Sequence, residues 1–166
     1  PEFRVNATTG GTQTSPKIAA LSDGGFVVVW SDYNGTDGSG YGVFAQRYNA
    51  AGVAQGSEVR VNTTVSSTQY QPSVAAYDGG FVVTWSSSGN AADNSGYGVF
   101  GTRFTNAGSV VQTGGQNEFQ VNTYTSSHQW ESDIATYDDG SYVVVWRSEG
   151  QESDGGYSGI YAQRYN

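Results

Sequence analysis

One segment of this chain recurs three times, and that repetition constrains the fold more than any other feature. Glu2-Phe-Arg-Val-Asn6 returns as Glu58-Val-Arg-Val-Asn62 and as Glu118-Phe-Gln-Val-Asn122. Gly24-Gly-Phe-Val-Val-Val-Trp30 returns as Gly79-Gly-Phe-Val-Val-Thr-Trp85 and Gly140-Ser-Tyr-Val-Val-Val-Trp146. Gly42-Val-Phe-Ala-Gln-Arg-Tyr48 returns as Gly98-Val-Phe-Gly-Thr-Arg-Phe104 and Gly159-Ile-Tyr-Ala-Gln-Arg-Tyr165. A unit this short cannot bury its apolar face alone, so neighbouring copies must cover one another. The second period is longer than the first because of extra residues around Ser109–Asn117, read as one long loop.

Each unit reads as four strands. The first is Lys17–Leu21, with copies at Ser73–Tyr77 and Asp133–Tyr137. Asp23-Gly24, Asp78-Gly79 and Asp139-Gly140 follow, and Asp-Gly between apolar runs signals a hairpin with positive φ at both central positions. The second strand, the Phe-Val-Val-Val-Trp run, is apolar at every position, which predicts cover on both faces. The third is Gly42–Tyr48 and its copies, and the fourth is the Glu-Phe-Arg-Val-Asn segment. No stretch has a helical period.

The phase of the units matters. A fourth strand, Glu2–Asn6, stands before the first unit, and the third unit reaches only its third strand at Asn166. The expected fold is all-β: three four-stranded antiparallel sheets, propeller-blade-like or prism-like about a pseudo-threefold axis. The N-terminal strand would complete the last sheet of the same chain or of a neighbouring one. Either pairing protects an open sheet edge. Three sheets are fewer than the roughly four to eight blades of ordinary propellers. A half-propeller that dimerises to six blades, a stretch of a longer array and a β-trefoil are the alternatives. The expected organisation is a single domain over 1–166, with repeats at about 7–62, 63–122 and 123–166 plus the displaced strand 2–6.

Composition narrows the partners. Charged residues are 13% of the chain and the net charge is −8, so phosphate backbones and anionic membranes are repelled. Nucleic acid and membrane insertion are therefore not expected; no apolar run approaches a membrane-spanning length. With no cysteine there is neither a disulfide framework nor thiolate chemistry. Gly, Ser, Thr and Asn are abundant without cysteine, which leans toward an extracellular or cell-surface location.

The set Pro72-Ser-Val-Ala-Ala, Asp78-Gly-Gly-Phe-Val-Val-Thr-Trp85, Gly98-Val-Phe and Glu118-Phe-Gln-Val-Asn-Thr resembles tandem repeats of very large secreted bacterial proteins. These are adhesin-like and RTX-type calcium-binding surface proteins. The resemblance spans nearly the whole chain. It implies extracellular display, a blade-like four-stranded sheet, and adhesive or scaffold roles, and it carries over no catalytic residue.

The loops between second and third strands hold the polar candidates. Asp37, Asp93 and Asp154 align across the three copies as candidate ligand-binding residues. Asp32, Asp37 and Asp154 are weak candidates for a Ca²⁺ ligand set, since hard cations take several oxygens from a tight turn. The competing reading is an Asx-turn, with Asp bonding its own backbone. Trp30, Trp85 and Trp146 recur and are read as core. Trp130 and His128 do not recur, and they are the candidate ligand contacts in a Ser-Ser-His-Gln-Trp-Glu segment. The recurring Arg47, Arg103 and Arg164 are read as cross-strand partners of Glu2, Glu58 and Glu118. Asn6, Asn34 and Asn62 stand in N-glycosylation sequons, and Asn6 and Asn62 also hold the repeated strand-end position.

Two functions fit these readings. The first is an extracellular structural or adhesive repeat protein that self-associates by strand complementation, with Glu2, Phe3, Arg4, Val5 and Asn6 as the assembly strand. The alternative is a lectin-like carbohydrate-binding module with one site per repeat, calcium-assisted. No enzyme is expected: the acids recur threefold, the single histidine lacks metal-ligating company, and no Gly-x-Ser-x-Gly elbow is present.

Overall fold

A computed structural model describes residues 2–33, 38–90, 93, 96–152 and 157–166. Among these the chain is all-β, in twelve strands and three antiparallel sheets. Sheet 1 is β1 (Thr12–Ala20), β2 (Phe26–Tyr33), β3 (Gly42–Tyr48) and β4 (Val59–Arg60). Sheet 2 is β5 (Gln69–Tyr77), β6 (Gly80–Ser88), β7 (Tyr97–Thr105) and β8 (Val110–Val111), with β9 (Phe119–Gln120) also on β7. Sheet 3 is β10 (Gln129–Thr136), β11 (Tyr142–Glu149) and β12 (Ser158–Tyr165).

The expected three sheets are present, but not as three sets of four strands. Sheet 2 gains β8 because the stretch read as a loop at Ser109–Asn117 folds back on β7. Sheet 3 has three strands, because among the described residues nothing pairs with the outer edge of β12. Residues 2–6 do not complete that sheet, which corrects the expectation of closure within the chain. They form no strand and lie instead on sheet 1, where the Tyr48 hydroxyl donates to the Val5 carbonyl (3.0 Å) and Phe3 packs on the Tyr48 ring.

The apolar second strands stack the sheets in sequence order. Alternate residues point to opposite faces, so sheet 2 turns one face toward sheet 1 and the other toward sheet 3. Val27, Val29, Val43 and Ala45 of sheet 1 pack on Val74, Phe81, Val83, Trp85, Phe100 and Phe104 of sheet 2, with Val61 between. Val82 and Val99 on the other face of sheet 2 pack on Ile134, Tyr142, Val144 and Trp146 of sheet 3, with Val121 between. The recurring tryptophans Trp30, Trp85 and Trp146 are buried as expected.

Each first strand carries a β-bulge. Ser15-Pro16 oppose Trp30, Gln71-Pro72 oppose Trp85, and Glu131-Ser132 oppose Trp146. The first bulge residue has positive φ in every copy: Ser15 at 54°, Gln71 at 54° and Glu131 at 55°. A bulge sets two residues against one and bends the strand, and proline there forfeits no ladder bond.

The hairpin after each first strand differs from the predicted turn. Only the glycine has positive φ (Gly24 82°, Gly79 100°, Gly140 84°). The aspartate instead accepts an N–H two residues on, from Gly25 to Asp23 and from Ser141 to Asp139, both 2.9 Å. That side-chain bond replaces the second positive φ.

Two polar devices hold the fourth-strand segments in place. The Asn122 amide donates to the Tyr124 carbonyl (2.9 Å) and the Gln129 side chain (3.2 Å), while its oxygen receives the Val99 N–H (2.7 Å). Asn62 does the same with Thr64, Gln69 and Val43. The glutamates reach back to the turn that follows the preceding fourth-strand segment, at the start of their own unit. Glu118 accepts the Thr63 N–H (2.8 Å), the Thr63 and Thr64 hydroxyls (2.9 and 3.1 Å) and the Asn90 amide (3.0 Å). Glu58 accepts the Ala7 N–H (2.8 Å) and the Thr8 hydroxyl. These carboxylates are therefore not cross-strand partners of the arginines. Arg103 lies over the rings of Tyr77 and Tyr142, Arg164 lies over Tyr137, and Arg47 approaches Asp23 at 3.7 Å. A guanidinium on an aromatic face covers apolar surface as well as gaining electrostatic attraction.

Candidate functional site

The three bulges face a common groove of about 480 Å³. Ser15, Pro16 and Lys17 line it from β1, Gln71 and Pro72 from β5, and Glu131, Ser132 and Asp133 from β10. The bulges create this site, because each adds a residue that turns away from the ladder toward the groove. Serines of the adjoining sheets hold two of them in place: the N–H of Gln71 donates to Ser31 Oγ (3.1 Å) and the N–H of Glu131 to Ser86 Oγ (3.2 Å). Two carboxylates belong to the groove. Asp133 is anchored by the Ser73 hydroxyl (2.6 Å) and its neighbour's N–H. Glu131 is exposed, with Arg147 3.9 Å away. The Gln71 side-chain oxygen is shielded and has no donor among the described residues.

An aromatic cluster adjoins the groove where β5, β7 and β10 meet. The His128 and Trp130 rings stack at 4.8 Å with 12° between planes, and the Arg147 guanidinium lies 5.2 Å from the indole centre. Tyr97 leans on both (5.7 and 5.9 Å) and on Tyr70 (5.4 Å). His128 Nδ1 accepts the Tyr97 N–H at 3.2 Å, which fixes that nitrogen as the unprotonated one. Gly96 is required beside it, since a Cβ there would run into the imidazole and the Ser127 carbonyl. Burial, with the Tyr97 and Glu131 charges behind it, pushes the Tyr70 hydroxyl above its ordinary range.

The structure thus brings the two non-recurring candidates, Trp130 and His128, into one cluster with residues that sequence reasoning did not single out: Tyr70, Tyr97, Glu131 and Arg147. Trp130 is already packed by His128 and Arg147, so it organises the cluster more than it offers an open ring. The signal that was available lies in Pro16 and Pro72, prolines inside strand patterns, which mark bulges.

The other candidates are placed elsewhere. Asp93 is buried rather than open to ligand, and its Oδ2 accepts the amides of Asn122 (3.0 Å) and Gln120 (3.1 Å). Asp32 is 1% exposed and accepts the Gln13 amide at 3.0 Å. Among the described residues no three His, Cys, Asp or Glu side chains gather as a metal would require. Asp37, Asp154 and Asn34 lie outside the described residues. Asn62 is corrected as a glycan acceptor, because it is 2% exposed and the nitrogen that would carry the sugar donates to Thr64 and Gln69. The Asn6 nitrogen is engaged likewise, with the Thr8 carbonyl at 2.6 Å.

Neither protein-family models nor curated protein sequences match the chain. Solved structures do. A thermostable family-43 glycoside hydrolase is similar with a TM-score of 0.57 at 14% identity, over 95% of this chain and 55% of that one. The endo-arabinase from Bacteroides thetaiotaomicron VPI-5482 is similar with a TM-score of 0.56 at 12% identity, over 95% and 58%. The alpha-L-arabinofuranosidase from Lactobacillus brevis is similar with a TM-score of 0.55 at 11% identity, over 91% and 52%. The chain spans a little over half the length of these structures, and at such identities the likeness is one of fold. It overturns the exclusion of an enzyme drawn from the sequence: each of these neighbours is by name a glycoside-cleaving enzyme. Threefold recurrence of acids therefore argued nothing against catalysis, because Glu131 and Asp133 stand at positions that do not recur as acids in the other copies.

Proposed function

We propose that this chain binds carbohydrate in the groove across the three bulges. The observation that carries this reading is the junction of a polar groove with an aromatic cluster at Glu131. Sugars present C–H faces that pack on aromatic rings and hydroxyls that need acceptors and donors. Tyr70 and Tyr97 would supply the first. Glu131, Asp133, Gln71 and Lys17 would supply the second. The groove's carboxylates favour a neutral glycan over an anionic one. The likeness to a glycoside hydrolase, an arabinase and an arabinofuranosidase supports the same class of ligand, and makes arabinan and arabinofuranosides the first to try. Display outside the cell, implied by the resemblance to secreted surface repeats, suits such a ligand.

A glycan array with and without calcium, followed by titration calorimetry on the hits, tests this. Glu131→Gln and Tyr97→Ala should each weaken binding at least about tenfold, the loss of roughly one charged hydrogen bond or one stacked ring. The thermal midpoint should stay close to that of the parent. Absence of binding to every neutral glycan in both conditions refutes the proposal. A second reading, hydrolysis of the bound glycoside, is favoured by the two carboxylates sharing one groove. Release of reducing sugar that Glu131→Gln abolishes would support it, and no release from any bound glycan would sink it.

A further inference from the structure

The two internal junctions show what a contact between consecutive sheets consists of, and the outer surfaces of sheets 1 and 3 carry the halves of a third. Two features, the strand pairing and the glutamate cap, are shared by both junctions, and two more, an aromatic fourth-strand side chain and an arginine between rings, mark the second. The edge of a third strand pairs with a fourth strand: Phe44 opposite Arg60 and Ala45 opposite Val59 in sheet 1, Phe100 opposite Gln120 and Gly101 opposite Phe119 in sheet 2. The side chain of that fourth strand packs on the next sheet, as Phe119 does on Tyr142 and Tyr165. Its glutamate caps the turn that follows the preceding fourth-strand segment. An arginine stacked on one ring also faces a ring of the next sheet, as Arg103 lies between Tyr77 and Tyr142.

Every one of these has an unfilled counterpart. The outer edge of β12 has no partner strand among the described residues. Residues 2–6 already sit on sheet 1 as a fourth strand sits on its following sheet, with Phe3 on Tyr48 and the Tyr48 hydroxyl on Val5, matching the Tyr165 hydroxyl on Val121. They lack only the edge to pair with. Ile160 is 77% exposed where its equivalents Val43 and Val99 are 0%. Ile18 on the opposite end is 65% exposed where its equivalents Val74 and Ile134 are 9%. Among the described residues Arg164 lies over one ring, Tyr137, where Arg103 lies over two, and Phe26, stacked with Tyr48 as Tyr142 is with Tyr165, is the ring that stands in the position of Tyr142.

We propose that a second copy of this chain docks head to tail, its residues 2–6 pairing with β12 of the first. By equivalence Phe3 lies opposite Ala162 and Arg4 opposite Tyr161. The Val5 N–H donates to the Ile160 carbonyl, and the Ile160 N–H to the Asn6 side-chain oxygen, as for Val121, Val99 and Asn122. Glu2 then accepts the N–H groups of the Thr123 turn. A head-to-tail contact either closes a ring or grows without end. Two copies give six sheets, inside the roughly four to eight that propellers accommodate, and three copies give nine, outside it. The assembly is therefore a closed dimer with two identical junctions. Its junction is weaker than the internal ones, because Arg147 occupies the place of Ser31 and Ser86, which accept the bulge N–H inside the chain. Dissociation on dilution follows.

Sedimentation velocity over a wide concentration range tests this on the 166-residue chain. The expected mass rises from 17.6 kDa to twice that value as concentration increases. Ile160→Asp and Ile18→Asp change exposed side chains, so each variant should remain monomeric and keep the thermal midpoint of the dilute, dissociated parent. Mixing the two should restore a dimer, because one junction then has both intact halves. A monomer at all concentrations overturns the proposal. So does a dimer that survives Ile160→Asp, a dimer lost in one variant only, or open polymers in place of a dimer.

Discussion

Replacing Glu118 with alanine removes a large set of polar contacts between a fourth strand and the turn that follows the preceding one. The carboxylate accepts hydrogen bonds from the Thr63 N–H, both threonine hydroxyls and the Asn90 amide, with the Thr64 N–H at 3.4 Å. A hydrogen bond to a charged group contributes about 1.5–3 kcal/mol when buried. Here the threonine turn is partly solvated, water replaces some of the lost contacts, and the contributions do not add. The expected cost of Glu118→Ala is therefore about 2–3 kcal/mol. For a domain of this size each kcal/mol lowers the thermal midpoint by about 2–4 °C, so a fall of about 4–12 °C is expected. Glu58→Ala has fewer bonds to lose and should fall between Glu118→Ala and the parent. Glu2→Ala, in the monomeric Ile160→Asp background, should change stability by less than about 0.5 kcal/mol, since Glu2 is exposed. Scanning calorimetry of the three variants gives the ranking. A midpoint for Glu118→Ala within about 1 °C of the parent, or an equal loss for Glu2→Ala, would refute the assignment of these glutamates as clasps between successive fourth-strand segments.

Gly96→Ala should drive the His128 ring off Trp130, at a cost of about 1–3 kcal/mol for an overpacked site; near-ultraviolet circular dichroism reports the lost stack and titration calorimetry the weakened glycan binding. Trp85→Ala should cost about 3–5 kcal/mol in urea unfolding, and Trp85→Phe much less, because the indole N–H has no acceptor among the described residues and only its area contributes. Tyr142 is pushed up to about 12, mainly by burial and partly offset by the Arg103 charge, and Tyr165 stacked on it is pushed up as well. A raised folded value means the protonated form is favoured by folding, so this stability is fully present below pH 10 and is lost as pH rises through about 12. Tyr142→Phe should flatten the stability-versus-pH curve in that window, and an unchanged slope would refute the burial argument.

Much of the fold was legible because two signals agreed. The repetition of Phe-Val-Val-Val-Trp located the central strands, and an apolar residue at every position required cover on both faces. Val27, Val29, Val82 and Val83 meet that requirement at 0% exposure. Less of the site was legible. Trp130 and His128 stood out because they break the repeat, yet their partners Tyr70 and Tyr97 come from another unit and Arg147 from another strand, and no spacing along one strand announces them. Glu131 was hidden differently: read as part of a plain strand it alternates into a face, whereas the bulge turns it into the groove. The glutamates misled for a related reason. Spacing suggested pairing with the arginine of the adjoining strand, but the carboxylate reaches back to the turn after the preceding fourth-strand segment, where N–H groups offer hydrogen bonds that an arginine on a tyrosine ring does not.

What the amino-acid sequence determined by itself is local and periodic. Strand identity, the order of strands within a unit and the number of units follow from apolar runs, turn residues and repetition, all encoded within a few tens of residues. What only the tertiary structure decided is where units meet. Residues 2–6 have the sequence of a fourth strand in every copy, but a strand needs an edge, and among the described residues none is within reach; they lie as an unpaired segment on sheet 1 while β12 keeps its edge open. Pairing is a property of two segments at once, and a sequence read one segment at a time does not contain it.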